Sequence, residues 1–141
     1  MGSMNFSGIS VTKLPRIEVV GGDVLHALKE TDLDFHTFGE AYFSFVNYNH
    51  IKAWKKHNEM TMNLIVPIGK VKFVFFNNFK KEFLTHVIGN KNYARIAVPP
   101  GIWFGFKGIA KEPSLILNIS NILHDNNEVE RKDIKEIKFN W

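Results

Sequence analysis

The residues with the most chemical potential gather around His57, in the run Trp54-Lys55-Lys56-His57-Asn58-Glu59. The two preceding lysines disfavour a further positive charge and so favour neutral imidazole, the form that a general base requires. A solvent-facing histidine at a strand end would have the same neighbours, so the run alone leaves both readings open. Glu40, Tyr42 and Ser44 alternate with Ala41, Phe43 and Phe45 and fall on one face of a strand. That face is either a polar lining or an ordinary solvent-facing stripe. Asn118, Ser120 and His124 pose the same alternatives after Leu115-Ile116-Leu117. Trp54 and Trp103 offer flat surfaces on which a base or sugar ring stacks, although packing is the commoner use of tryptophan.

A metal reading is less well supported. There are six histidines, but His50 and His57 are seven positions apart and no His-x-His occurs. His57 and Glu59 form only a fragment of a ligand set, with His86 or His124 as a distant third. The chain has no cysteine, which excludes disulfides, thiolate metal sites and a cysteine nucleophile. It also lacks a phosphate-cradling glycine loop that opens a helix and a Gly-x-Ser-x-Gly elbow.

The elements that must position these side chains read as strands. Residues 17–20 precede a Gly21-Gly22-Asp23 turn, and 24–29 read as another strand. The runs 37–46, 50–57, 62–68, 71–76, 83–88, 93–98, 101–107 and 115–119 follow at short spacing, rich in aromatic and β-branched residues. Gly69-Lys70 reads as a tight turn that returns 71–76 as the hairpin partner of 62–68, and Pro99-Pro100-Gly101 as a sharp turn. Helical periodicity is nearly absent: 26–32 is the best short candidate, and the charged tail 128–138 reads as a short helix or an edge strand. Many short strands joined by Gly, Pro and Asn turns predict an all-β barrel or sandwich.

The 141 residues suit one domain. Residues 1–3 read as an expression remnant and 4–141 as the domain. No apolar run approaches the ~18 residues of a membrane span, and the N-terminus does not read as a signal peptide. Net charge is +4 and the isoelectric point about 9.3. The lysines are scattered rather than arrayed on a recognition helix, which argues against nucleic acid and for a phosphorylated small molecule.

Five segments follow one another in a telling order. They are Asp23 to Glu30, Phe38-Gly39-Glu40-Ala41-Tyr42-Phe43-Ser44, Trp54-Lys55-Lys56-His57, Pro99-Pro100-Gly101-Ile102-Trp103-Phe104-Gly105-Phe106, and the tail from Glu128 to Trp141. Together, over residues 22–141, they resemble the dTDP-4-dehydrorhamnose 3,5-epimerase family in a short, divergent form. The resemblance implies a cupin-type double-stranded β-helix, a jelly-roll barrel. It further implies an epimerase or isomerase of nucleotide-linked keto-deoxy sugars in surface-polysaccharide synthesis, which needs no redox cofactor.

By this resemblance His57 removes a proton alpha to the sugar ketone and Asp133 orients it. Glu40, Tyr42, Lys56, Asn63 and Asn118 line the substrate site, and Trp54 or Trp103 stack on the ligand. The resemblance also implies a cytoplasmic homodimer with exchanged strands, in which residues 24–30 line the partner's pocket. Several family positions are changed. The enolate-stabilising lysine falls on Met62, the acid tyrosine on Leu117, the substrate-binding arginine on Trp54, and the histidine before Gly105 on Phe104. Lys52, Lys56 or Tyr42 would substitute only by pointing inward. A non-catalytic sugar-nucleotide-binding module and a metal-dependent cupin are the alternative readings.

Overall fold

The computed structural model describes residues 8–141 with their side chains, and residues 3–5 by their backbone. Of the residues read as an expression remnant, Met1 and Gly2 lie outside the described residues. The strands are β1 (Ser3–Asn5), β2 (Ile9–Lys13), β3 (Arg16–Ile17), β4 (Val24–Leu25), β5 (Glu40–Val46), β6 (Ile51–His57), β7 (Met62–Ile68), β8 (Lys70–Asn77), β9 (Glu82–Gly89), β10 (Ala94–Val98), β11 (Trp103–Gly108), β12 (Ser114–Ser120) and β13 (Val129–Arg131). Two sheets face each other: one in the order β1-β2-β10-β7-β12-β5, the other β13-β6-β11-β8-β9. β3 and β4 pair separately as a small ribbon. All the pairings that build the strands are antiparallel. This is the jelly-roll arrangement of a cupin barrel.

Apolar side chains from both sheets fill the space between them. Ile9, Val66, Val71, Phe73, Phe75 and Ile96 are wholly buried there, each contributing about 1.5–3 kcal/mol by transfer from water. A second apolar cluster lies on the outer side of the second sheet. Trp54, Val74, Phe76, Trp103 and Ile137 pack there with Phe139 and Trp141, so the C-terminal tail folds back over the sheet and keeps that face dry.

Several expectations change. The strands read over 17–20 and 24–29 shrink to the two-residue β3 and β4. β8 does not pair with β7: it belongs to the other sheet, between β11 and β9, so the chain turns a corner at Gly69 rather than closing a hairpin. Gly69 has φ +94°, and a Cβ there would meet Ser114 Oγ at 2.2 Å; only glycine combines that backbone with that approach. Residues 26–32 are not helical. The carbonyl of His26 accepts from Tyr93 Oη and that of Ala27 from Arg95 Nη1, so tertiary donors take the acceptors that a helix would use. The tail forms the edge strand β13 and two short 3-10 turns, Asn126–Glu128 and Ile134–Glu136. β2 is not among the strands expected from the sequence, although Ile9-Ser10-Val11-Thr12 alternates, and it extends the first sheet beside β10.

Candidate active site

β6 ends at His57 and places it on the inward face. Its ring is buried, with 3% of its surface exposed. Nδ1 lies 2.5 Å from Oε2 of Glu128. Glu128 ends the 3-10 turn that leads into β13, and β13 lies against β6 with Val129 opposite His57. The second carboxylate oxygen, Oε1, accepts the backbone N–H groups of Glu59 and Met60 at 3.0 and 2.9 Å. Burial alone would raise the Glu128 pKa, but the hydrogen bonds from His57, Met60 and Glu59 outweigh it and hold the carboxyl ionised, below its usual range.

An ionised Glu128 is acceptor-only, so Nδ1 of His57 carries the proton and Nε2 the lone pair. Nε2 is buried and has no hydrogen-bond partner among the described residues. Burial lowers the His57 pKa from the ordinary histidine value, and the Glu128 contact only partly offsets it. The pair is therefore a neutral imidazole braced by a carboxylate. Such an arrangement holds a base in one tautomer and stabilises the imidazolium after it takes a proton. Phe104 packs against the ring, with centroids 6.0 Å apart and planes 18° apart, and supplies much of the apolar surface that keeps it dry.

His57 opens onto a cavity of about 190 Å³ inside the barrel. Tyr42, Ser44, Lys52, Lys55 and Asn118 provide its polar lining, and Met62, Leu64, Phe73 and Ile116 part of its apolar wall. Tyr42 on β5 and Asn118 on β12 face each other in register, and Asn118 Nδ2 donates to Tyr42 Oη at 2.9 Å. The Tyr42 hydroxyl proton is thereby left for another acceptor. Asn118 Oδ1 is buried and has no partner among the described residues. His57 and Tyr42 belong to opposite sheets and meet the same cavity.

Alternation along β6 and a β-bulge together sort Lys52, Lys55 and Lys56. Phe104 faces Lys55, but the next residue, Gly105, faces Ala53, so Trp54 is an extra residue in β6. Beyond the bulge the alternation is shifted by one. Lys55 and Lys52 both turn inward, while Ala53 and Trp54 both join the outer cluster. Lys52 Nζ donates to the Phe45 carbonyl at 2.9 Å. Lys56 points outward to an ion pair with Glu130 at 3.1 Å. The Lys55 side chain makes no hydrogen bond or ion pair among the described residues.

No protein-family model matches the chain. Its structure is similar to that of a dTDP sugar isomerase from Desulfovibrio desulfuricans, with TM-score 0.90 and 34% identity over 96% of this chain and 91% of the other. The chain belongs to that family, the dTDP-4-dehydrorhamnose 3,5-epimerase-like cupins. It is 29% identical over 100 residues to a probable low-salt glycan biosynthesis epimerase of Haloferax volcanii; the match covers 67% of this chain and 64%, under two thirds, of that relative. The dTDP-4-dehydrorhamnose 3,5-epimerase of Sulfolobus tokodaii shares the fold, with TM-score 0.84 and 16% identity, over 99% of this chain and 85% of that one.

Within this member of the family, His57, Tyr42 and Asn118 come together in the cavity, while other expected residues lie elsewhere. Asp133 does not reach His57. It starts the last 3-10 turn in a reciprocal cap with Glu136, and Glu128 holds the imidazole instead. Asn63 faces away from the cavity, because its β7 neighbours Met62 and Leu64 take the inward positions. Its Oδ1 accepts from the buried Arg95, which also binds Asp34, so Asn63 fixes the 26–36 segment to the outer face of the first sheet. Trp54 is buried in the outer cluster, its Nε1 donating to the Ile137 carbonyl at 3.1 Å.

Trp103 is likewise buried on that outer side, between the ammonium groups of Lys56 and Lys132. Neither tryptophan presents a face to the cavity. Glu40 accepts the backbone N–H of His124 and holds the loop after β12. Sequence reasoning missed Glu128 and Lys55. The resemblance pointed to Asp133, and Lys55 is separated from Lys56 by simple alternation, two positions from His57 on the same face of β6. Among the described residues no group of three His, Asp or Glu side chains is placed to hold a metal ion.

Proposed function

We propose that this protein is an epimerase or isomerase of nucleotide-linked 4-keto-deoxy sugars that serves surface-polysaccharide synthesis. Its chemistry is proton abstraction alpha to the ketone. The observation that carries this reading is the His57–Glu128 pair, whose imidazole lines the cavity and whose Nε2 has no hydrogen-bond partner among the described residues. A ketone acidifies the neighbouring C–H, so a positioned base near neutrality suffices. His57 takes the proton, the C–H electron pair enters the new C=C bond, and the carbonyl π pair moves to oxygen as an enolate. Glu128 stabilises the resulting imidazolium. Tyr42, held by Asn118 in the opposite sheet, returns a proton from the other side of the ring; its phenolate is reprotonated from solvent and the His57 imidazolium gives its proton up to solvent, which restores the resting site. Base and acid on opposite walls suit inversion at the carbon. No electrons leave the substrate, so no redox partner is required.

The family relationship and the glycan-synthesis relative support the substrate class. A dTDP-sugar substrate also favours the cytoplasm, where nucleotide sugars are made. We infer a homodimer through the outer face of the first sheet. Phe43 and Phe45 are 63% and 62% exposed there, on the same face as the pinned 26–36 segment, and a monomer rarely leaves such an apolar patch in water. NMR-monitored deuterium wash-in with a panel of 4-keto nucleotide sugars tests the chemistry. Exchange alpha to the ketone that disappears in His57→Asn is expected. Binding with no exchange at any sugar carbon would leave only a binding module.

A further inference from the structure

We propose that Lys55 is the cation that stabilises the enolate, supplying from β6 what position 62 of this chain, a methionine, cannot. The proposal rests on the proton-abstraction reading above and deepens it. An enolate oxygen gains most from a positioned cation or donor that is not already committed in the resting site. Met62 lines the cavity but offers no proton. Among the lysines of β6, Lys52 is bound to the Phe45 carbonyl and Lys56 to Glu130, whereas Lys55 has no such partner and lines the same cavity as His57.

The backbone sets the spacing. Lys55 and His57 are two residues apart on one face of β6, about 7 Å between Cα atoms. Base and ammonium therefore flank one bound sugar from the same wall. Among the described residues, the carboxylate that acts on Lys55 is Glu128, and it is already engaged by His57 and two backbone N–H groups. Arg131, opposite Lys55 on β13, and Lys52 add positive charge. Burial, reinforced by Arg131, lowers the Lys55 pKa from the ordinary lysine value. This half-buried, under-compensated ammonium is attracted to an anion that forms in the cavity. As the α-proton passes to His57 Nε2, the carbonyl π pair moves to oxygen, and the Lys55 ammonium donates a hydrogen bond to it. When the carbon is reprotonated the pair returns to the carbonyl and the lysine is unchanged.

Lys55 also borders an adjoining cleft of about 330 Å³ that carries Arg131 and Lys132, so gripping the diphosphate is the competing role. The test separates the two roles. Lys55→Met, Lys55→Gln and Lys55→Arg are compared with wild type in deuterium exchange into dTDP-4-keto-6-deoxyglucose at saturation, and in calorimetric binding of dTDP, which has no ketone. The proposal expects exchange to fall by about 10²-fold or more in Lys55→Met and Lys55→Gln. It expects dTDP affinity to stay within about threefold, and Lys55→Arg to recover at least about tenfold of the lost rate. Unchanged saturating exchange in the variants overturns the proposal, as does a loss confined to dTDP affinity, and in both cases the reading of His57 stands. Absence of exchange in wild type overturns both.

Discussion

Glu128 Oε2 lies 2.5 Å from His57 Nδ1, across 71 positions of sequence. The contact exists because β13 closes the edge of the second sheet beside β6. The carboxylate also clamps the chain just after His57 through the N–H groups of Glu59 and Met60. One side chain thus sets the tautomer of the base and the path of the turn that follows it.

Replacing Glu128 by Gln removes the negative charge while keeping the shape. Without the carboxylate, the imidazolium loses its stabilisation and the tautomer is no longer fixed. The expected result is a fall in kcat of about 10²–10⁴-fold with dTDP affinity retained. Asp133→Asn, which alters only a terminal turn, should leave kcat unchanged. A large kcat loss in Asp133→Asn with normal Glu128→Gln would reverse the assignment.

The pH dependence follows from the directions of two shifts. His57 is lowered from 6.5 by burial, so kcat/KM should hold its plateau to a pH below that value and then decline as the ring protonates. Stability follows the same sign. Between the folded and unfolded pKa values the unfolded chain binds more protons, so the His57 contribution is full above about 6.5 and is lost as pH falls through the folded value. Glu128 is also lowered, from 4.5, and its contribution is lost at still lower pH. Urea unfolding at pH 7.5 and 5.5 should give the smaller unfolding free energy at 5.5; equal values would contradict the His57 shift.

Tyr42→Phe separates the two proton transfers. His57 can still remove a proton and return a solvent-derived one to the same side of the ring. Deuterium wash-in should therefore persist within about tenfold, while formation of the inverted product falls by about 10²-fold or more. Equal losses in both would place Tyr42 in substrate binding rather than in reprotonation.

Trp54 anchors the tail to the second sheet and is 2% exposed. Trp54→Ala should destabilise the fold by about 3–5 kcal/mol, through cavity formation and the lost hydrogen bond to Ile137. Chemical denaturation measures it. A stable Trp54→Ala protein with weakened dTDP binding would instead favour the stacking role that the sequence suggested.

Phe43→Lys places a charge in the exposed apolar face of β5 without touching the cavity side of the strand, which carries Tyr42 and Ser44. Light scattering should report a dimer for wild type and a lighter species for the variant. An unchanged mass would move the interface elsewhere.

The sequence alone established the strands from β5 to β12 to within a few residues, because their alternation and aromatic content report directly on a two-faced element. It also singled out His57, and it grouped Tyr42 with Ser44, since side chains two apart on a strand share a face whatever surrounds them. Which face points inward was another matter. Asn63 and Asn118 are both single polar residues in apolar runs, yet one binds Arg95 outside and the other Tyr42 inside. The bulge at Trp54 shifted the alternation in β6, so that Lys52 turns inward as Lys55 does and Ala53 joins Trp54 outside. One extra residue in a strand changes every side chain beyond it, and composition carries no mark of where that residue lies. Glu128 became the partner of His57 only through the pairing of β13 with β6. Local sequence determines what a strand can present, but the packing of the two sheets decides which carboxylate, cation and phenol meet the base.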